Sequence, residues 1–265
     1  MLIAHLSDPH LRETGRLYQG LVDSNAMFDL AIETLNAFRP EPDIVIIGGD
    51  LVDEGTEADY ETVRHALSRL RQPVYAIPGN HDEREAFRTC FREAGYLTAA
   101  GPLHFDTGRR WPVRVIGFDV TVPGQHYGDI DEAALLWLQQ ALAKCPDQPT
   151  VILMHQPPID SGIDAIDTYK CLHGERLAEL LPRHGNVERI LCGHIHRFMQ
   201  AQFAGTALMT APSTATSIAL RLTEGSTPAS YVEPPAFLLH HWRPRQGLVT
   251  HWVPIGRFPG PMPFF

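Results

Sequence analysis

Pro78-Gly79-Asn80-His81-Asp82 constrains this chain more than any other stretch. The run before it, residues 73–77 (Pro-Val-Tyr-Ala-Ile), is short, apolar and rich in strand formers, and Pro78-Gly79 ends it. Asn80 and His81 are therefore presented on a tight loop at a strand's C-terminal end, the edge at which α/β sheets bind ligands. Gly-Asn alone is ordinary turn chemistry. It gains meaning because other apolar runs end in the same kind of residue. Residues 2–6 lead to Ser7-Asp8-Pro9-His10 and residues 43–47 to Gly48-Gly49-Asp50. Residues 150–154 lead to His155, and residues 187–191 to Gly193-His194-Ile195-His196.

Between those runs the apolar residues follow helical spacing. Asp23 is placed to cap a helix with Met27, Leu30, Ala31, Leu35 and Phe38 on its inner face, stopped by Pro40 and Pro42. Thr56 caps the next, with Tyr60, Val63, Leu67 and Leu70 as its inner stripe. Further helices are expected around residues 87–94, 131–144 and 175–181, and a strand over 113–118 that reaches Asp119. Residues 156–172 show no periodicity and are expected to form a loop at the rim of the site. Strands alternating with helices predict α/β layers. Beyond Phe198 short strands take over and close in a hairpin of residues 237–242 and 248–253, so antiparallel pieces complete the sheets. The Pro-rich tail, residues 258–265, cannot be helical.

No repeat and no linker interrupt the 265 residues, so a single domain with a substantial core is expected. A net charge of −9 argues against a nucleic-acid polymer or an anionic membrane as partner. No run approaches the roughly 20 apolar residues of a membrane span. The N-terminus enters a strand without a basic or long apolar leader, and cytoplasm is the expected location. The four cysteines are dispersed without a Cys-x-x-Cys pair, and no disulfide framework is legible.

Each strand-end residue is ordinary by itself: Asp8, Asp50 and Asn80 suit turns, and His10 suits a surface loop. Jointly they supply two carboxylates, one amide oxygen and four imidazoles, besides His81. Two divalent cations sharing a central carboxylate would use such a set. Its four imidazoles suit Mn, Fe, Co or Zn better than Mg or Ca. With no thiolate in the set this is no structural zinc knot, and metal-assisted hydrolysis follows as the reaction class. His194 and His196, spaced i and i+2, share one face if their segment is extended.

At these residues the chain resembles the calcineurin-like metallophosphoesterases. Their pattern of Asp-x-His, Gly-Asp, Gly-Asn-His, a later His and Gly-His-x-His stands here in order over roughly residues 1–200. The resemblance implies a two-sheet β-sandwich flanked by helices, with a dinuclear centre at the strand ends. It implies that one metal takes Asp8, His10, Asp50 and His196. The other takes Asp50, Asn80, His155 and His194, so that Asp50 bridges. A hydroxide held between the metals would attack phosphorus, while His81 contacts the phosphate or protonates the leaving oxygen.

Departures narrow the branch. Glu54 stands where phosphoprotein phosphatases carry Arg, and Asp82 where they carry Glu; Asp53 replaces the tyrosine ligand of purple acid phosphatases. Gly-Asn-His-Asp and the opening Ala4-His5-Leu6-Ser7-Asp8-Pro9-His10 resemble the bacterial class III cyclic nucleotide phosphodiesterases. Leu17-Tyr18 followed by Asp23-Ser24-Asn25 resembles the glycerophosphodiesterases among them. The branch implies a homo-oligomeric hydrolase of small phosphodiesters, with residues 205–265 as cap and interface. A phosphomonoesterase would share every ligand. A DNA nuclease is disfavoured by the acidic balance, and a metal-free scaffold by the intact ligand positions. Arg12, Tyr18 and the 156–172 loop flank the motif and are expected to shape substrate choice.

Overall fold

The computed structural model describes residues 1–263; of the Pro-rich tail, Phe264 and Phe265 lie outside the described residues. The N-terminal part runs β1 (Leu2–Leu6), α1 (Ser24–Ala37), β2 (Ile44–Ile47), α2 (Glu57–Leu67), β3 (Val74–Ala76) and α3 (Arg84–Cys90). Next come β4 (Phe105–Asp106), β5 (Arg114–Gly117), β6 (Gly128–Asp129), α4 (Glu132–Lys144) and β7 (Thr150–Leu153). They are followed by α5 (Asp164–Asp167), β8 (Cys171–Leu172), α6 (Gly174–Leu180) and β9 (Val187–Cys192). The C-terminal part is all strand: β10 (Met199–Phe203), β11 (Thr206–Thr210), β12 (Ser217–Ile218), β13 (Ser230–Tyr231), β14 (Ala236–Arg243) and β15 (Gly247–Pro254).

Two sheets carry the fold, in the orders β15-β14-β1-β2-β3 and β10-β11-β9-β7-β5-β4. β1, β2 and β3 are parallel, as are β5, β7, β9 and β11, while β14 adds antiparallel to β1 and β15 antiparallel to β14. One core lies between the sheets, where Ile3, Ile44 and Ile46 meet Val115, Val151 and Leu191. A second packs α1, α2 and α3 on the outer face of the first sheet; a third packs α4 and α6 on the second. The resulting order is helix, sheet, sheet, helix. Parallel strands buried on both faces read as unbroken apolar runs rather than alternations.

The helix caps stand where the sequence puts them. Asp23 accepts from the Ala26 N–H, and Thr56 and Asp59 form a reciprocal capping box. The buried faces are rotated from the expected stripes. α1 buries Phe28, Ala31, Ile32 and Leu35, leaving Met27 and Leu30 half-buried. Phe28 is 1% exposed, and burying such a ring contributes about 1.5–3 kcal/mol, so it rather than Met27 faces the sheet. α2 buries Tyr60, Val63 and Ala66 and ends at Leu67, so Leu70 packs from the turn beyond it.

Residues 156–172 are not a bare loop. They hold α5 and β8, the latter pairing with β6 through Gly128 and Cys171. Within 205–265, β11 belongs to the second sheet and β14–β15 to the first, while β12 and β13 form a separate small hairpin. Among the described residues no helix is long and apolar enough to cross a membrane.

Candidate metal centre

Every expected ligand stands just past the C-terminal end of a parallel strand: Asp8 and His10 after β1, Asp50 after β2, Asn80 after β3, His155 after β7, His194 and His196 after β9. The two sheets present these ends at the same edge of the sandwich. The turns there are tight. Asp8, His10, Asp50, His194 and His196 all have positive φ, between 45° and 68°. Non-glycine residues hold that conformation only where their surroundings dictate it, and such strain gathers at functional sites. His194 and His196 are therefore not in the extended segment that their spacing suggested; successive left-handed turns bring their rings inward instead.

Two groups of buried side chains result, each with its donor atoms within 4.8 Å of one another: Asp8, His10, Asp50 and His196, and Asp50, His155 and His194. Asp50 belongs to both. A Cβ on Gly79 would overlap its carboxylate, so glycine there makes room for it. Its Oδ1 accepts from the His81 N–H at 2.9 Å, leaving Oδ2 turned to His155 Nε2 at 3.3 Å and His10 Nε2 at 3.7 Å. Asn80 lines the same pocket wall, where the Gln156 Nε2–H approaches its Oδ1 at 3.5 Å.

The donor set fits metal cations. His155 Nδ1 faces the Gly48 carbonyl at 2.6 Å, and His196 Nδ1 the Thr216 carbonyl at 2.9 Å. A carbonyl only accepts, so each Nδ1 carries a proton and each ring turns its Nε2 inward. His196 Nε2 then lies 3.1 Å from His10 Nε2 and 3.4 Å from Asp8 Oδ1. The buried His155 Nε2 and His194 Nε2 have no hydrogen-bond partner. Lone pairs facing lone pairs at these distances call for a proton or a metal ion between them.

Titration follows from the same crowding. Burial opposes the charge on Asp50, but His155, His81 and His10 outweigh it and hold the carboxyl well below its usual range. Burial lowers His10 and His194. Burial would lower His155 too, yet Asp50 and Asp8 raise it to about 9. Between pH 6.5 and 9 folded metal-free protein thus keeps a proton that the unfolded chain has lost, and its stability falls as pH rises through that window. A metal ion replaces the proton, so metal-loaded protein is expected to keep its Tm there while chelator-treated protein loses stability. Parallel Tm curves from pH 6.5 to 9.5 would contradict the metal assignment.

A family model described as calcineurin-like phosphoesterase matches residues 1–198. The chain is a calcineurin-like phosphoesterase. It is 35% identical to the probable glycerophosphodiester phosphodiesterase GpdQ of Arcobacter nitrofigilis, over 100% of this chain and 97% of that one. It is 27% identical to the 3',5'-cyclic adenosine monophosphate phosphodiesterase CpdA of Escherichia coli K12, over 80% of this chain and 75% of that one. Among solved structures, a dimetal phosphatase from Danio rerio superimposes with a TM-score of 0.63 at 13% identity, covering 97% of this chain and 99% of that one. At that identity the likeness shows the fold alone.

In this phosphoesterase a pocket of about 560 Å³ opens over the cluster, walled by Tyr18, Tyr169, Ile163, Ile166 and the 216–230 segment. The β12–β13 hairpin roofs it and meets α5, where Asp164 Oδ2 accepts from the Gly225 N–H at 2.9 Å. Tyr18 and part of the 156–172 segment thus line the pocket. Arg12 does not: its guanidinium is paired with Asp53 and Glu54 and is no part of the pocket wall. His81 Nδ1–H donates to the Asp53 carbonyl at 2.7 Å, which leaves Nε2 free.

Two further side chains brace the site; the first carries little sequence signal, and the second closes the Gly-Asn-His-Asp motif. His126 reaches Asn80 Nδ2 at 3.3 Å from an otherwise featureless loop. Asp82 accepts from the Leu51 and Gly79 N–H groups and the Tyr60 hydroxyl, joining the Asp50 and Asn80 turns. Burial and the neighbouring Asp50 raise it to about 7.

Proposed function

We propose that the enzyme hydrolyses small phosphodiesters, glycerophosphodiesters or cyclic nucleotides, using two divalent ions from among Mn, Fe, Co and Zn. In this reading one ion takes Asp8, His10, Asp50 and His196, and the other Asp50, Asn80, His155 and His194. The observation that carries it is the pair of buried clusters sharing Asp50 beneath a pocket with room for ester groups on both sides of a phosphate. Four imidazoles with carboxylates and an amide favour those metals. The names of the relatives from Arcobacter nitrofigilis and Escherichia coli support the substrate class.

Bound ions would polarise the phosphoryl group and lower the pKa of water. The chain's own residues do the rest. His81 is the proton donor to the leaving oxygen: Asp50 and Asp53 raise its pKa against the effect of burial, and the Asp53 carbonyl fixes its ring. In this reading the pocket wall holds one alcohol group beneath the β12–β13 hairpin. Leu220, Leu222, Tyr231 and Val232 are 60%, 65%, 55% and 66% exposed beside the roof, the apolar surface a subunit interface would cover. The reading is of one cytoplasmic domain acting as a homo-oligomer.

Arg221 is the single Lys or Arg among the residues that line the pocket, and it sits on the hairpin, bonded to the Thr227 carbonyl. A monoester carries nearly two negative charges at neutral pH and a diester one. With Arg221 held to the hairpin and Arg12 paired with Asp53 and Glu54, diesters are expected to be favoured at least tenfold in kcat/KM over matched aryl monoesters, about 1.4 kcal/mol at the transition state. A tenfold monoester advantage on the same metal-loaded preparation would make the enzyme a phosphomonoesterase.

A further inference from the structure

The Leu17-Tyr18 and Asp23-Ser24-Asn25 stretches flank the site without contributing a ligand. Tyr18 and Ser24 meet His10, and Asn25 meets the backbone two residues on. Ser24, 1% exposed in the first turn of α1, donates its hydroxyl to the His10 carbonyl at 2.7 Å. Asn25 clasps Arg12 from both sides: its Oδ1 accepts from the Arg12 N–H at 3.0 Å, and its Nδ2–H donates to the Arg12 carbonyl at 2.8 Å. Tyr18 lies flat on the His10 ring, with centroids 4.6 Å apart and planes 18° from parallel. Asp23 starts α1 by capping Ala26, which fixes where Ser24 and Asn25 point.

We propose that Ser24, Asn25 and Tyr18 are positioning residues that aim His10 at its metal, and that they set the affinity of the Asp8–His10–Asp50–His196 site without affecting the other. This rests on the two-ion reading above. His10 needs such support. At φ 45° its backbone is in a conformation that non-glycine residues rarely hold. Its other backbone restraint, the N–H to the Asp50 carbonyl at 3.1 Å, fixes only one side of the loop. The ring has no anchoring hydrogen bond to the backbone: Nδ1 is without a partner, and the nearest carboxylate oxygen, Asp53 Oδ1, is 4.0 Å away. His155 and His196, by contrast, are each locked by a backbone carbonyl. Where a metal-binding histidine lacks that bond, its orientation must come from the backbone below it and the face beside it, and here α1 and Tyr18 supply both. Outer partners of this kind typically contribute about 10- to 100-fold in metal affinity.

The test titrates chelator-stripped protein with Mn²⁺, following free ion by electron paramagnetic resonance, in the wild type, Ser24→Ala, Ser24→Thr and Asn25→Ala. The expected result is two sites in the wild type. In Ser24→Ala and Asn25→Ala one site should weaken by about 10- to 100-fold while the other stays within twofold. Ser24→Thr, which keeps the hydroxyl, should restore most of the loss. Melting of the stripped variants reports on the fold. Two unchanged sites in Ser24→Ala and Asn25→Ala would overturn the positioning role alone. So would equal weakening of both sites, or a loss that Ser24→Thr does not rescue. A wild type that binds fewer than two ions would overturn the two-ion reading and this inference with it.

Discussion

Replacing Asp50 by alanine is expected to empty both metal positions at once and to cut phosphodiester hydrolysis by roughly 10³-fold or more, at least the scale set by removing one charge-stabilising group at a transition state. Asp50 is the one carboxylate common to both buried clusters, and its Oδ2 is turned to His155 and His10. Its loss leaves each ion short of an anionic ligand. Asp50→Asn separates charge from scaffolding. It keeps an acceptor for the His81 N–H but removes the negative charge, and is expected to lose the metals while retaining the fold. Asn80→Ala, which removes a neutral oxygen from one side, should weaken one position only. Elemental analysis decides the matter: full metal content in Asp50→Ala would refute the shared carboxylate.

His81→Ala is expected to keep its metals and lose about 10²- to 10⁴-fold in kcat, the usual contribution of a positioned proton donor. The His81 side chain is 30% exposed and belongs to neither Asp50-centred cluster, so truncation should leave both intact. The size of the loss should depend on the substrate. An alkyl leaving group needs the proton and should suffer the full penalty, whereas a nitrophenolate leaves without it and should suffer far less. If both substrates lose equally, His81 holds the phosphate and is not the acid.

How much of this was legible in the sequence depends on how local the physics is. Five apolar runs ending in Asp, His or Asn were readable because a buried parallel strand must be apolar throughout, and the chain can change character only at its end. The caps Asp23 and Thr56 were equally local, since an orphaned helix N–H needs an acceptor within three residues. The ordered motif and the ligand types that it carries also lie in short stretches, and they gave the family.

Tertiary structure decided what depends on residues far apart in the chain. Asp8 meets the His194 N–H across 186 residues, and nothing near either position announces it. Rotation of α1 to bury Phe28 in place of Met27 was set by the sheet it covers, not by its own spacing. The left-handed turns of His194 and His196 arise because strand ends from two sheets compete for one small volume. Arg12 was expected to shape substrate choice, but Asp53 and Glu54, some forty residues on, claim its guanidinium. Whether a charged or polar side chain faces substrate or spends its bonds on the protein is settled by which partners the fold brings within hydrogen-bond reach. A sequence names the donors and acceptors, and only the packed sheets pair them.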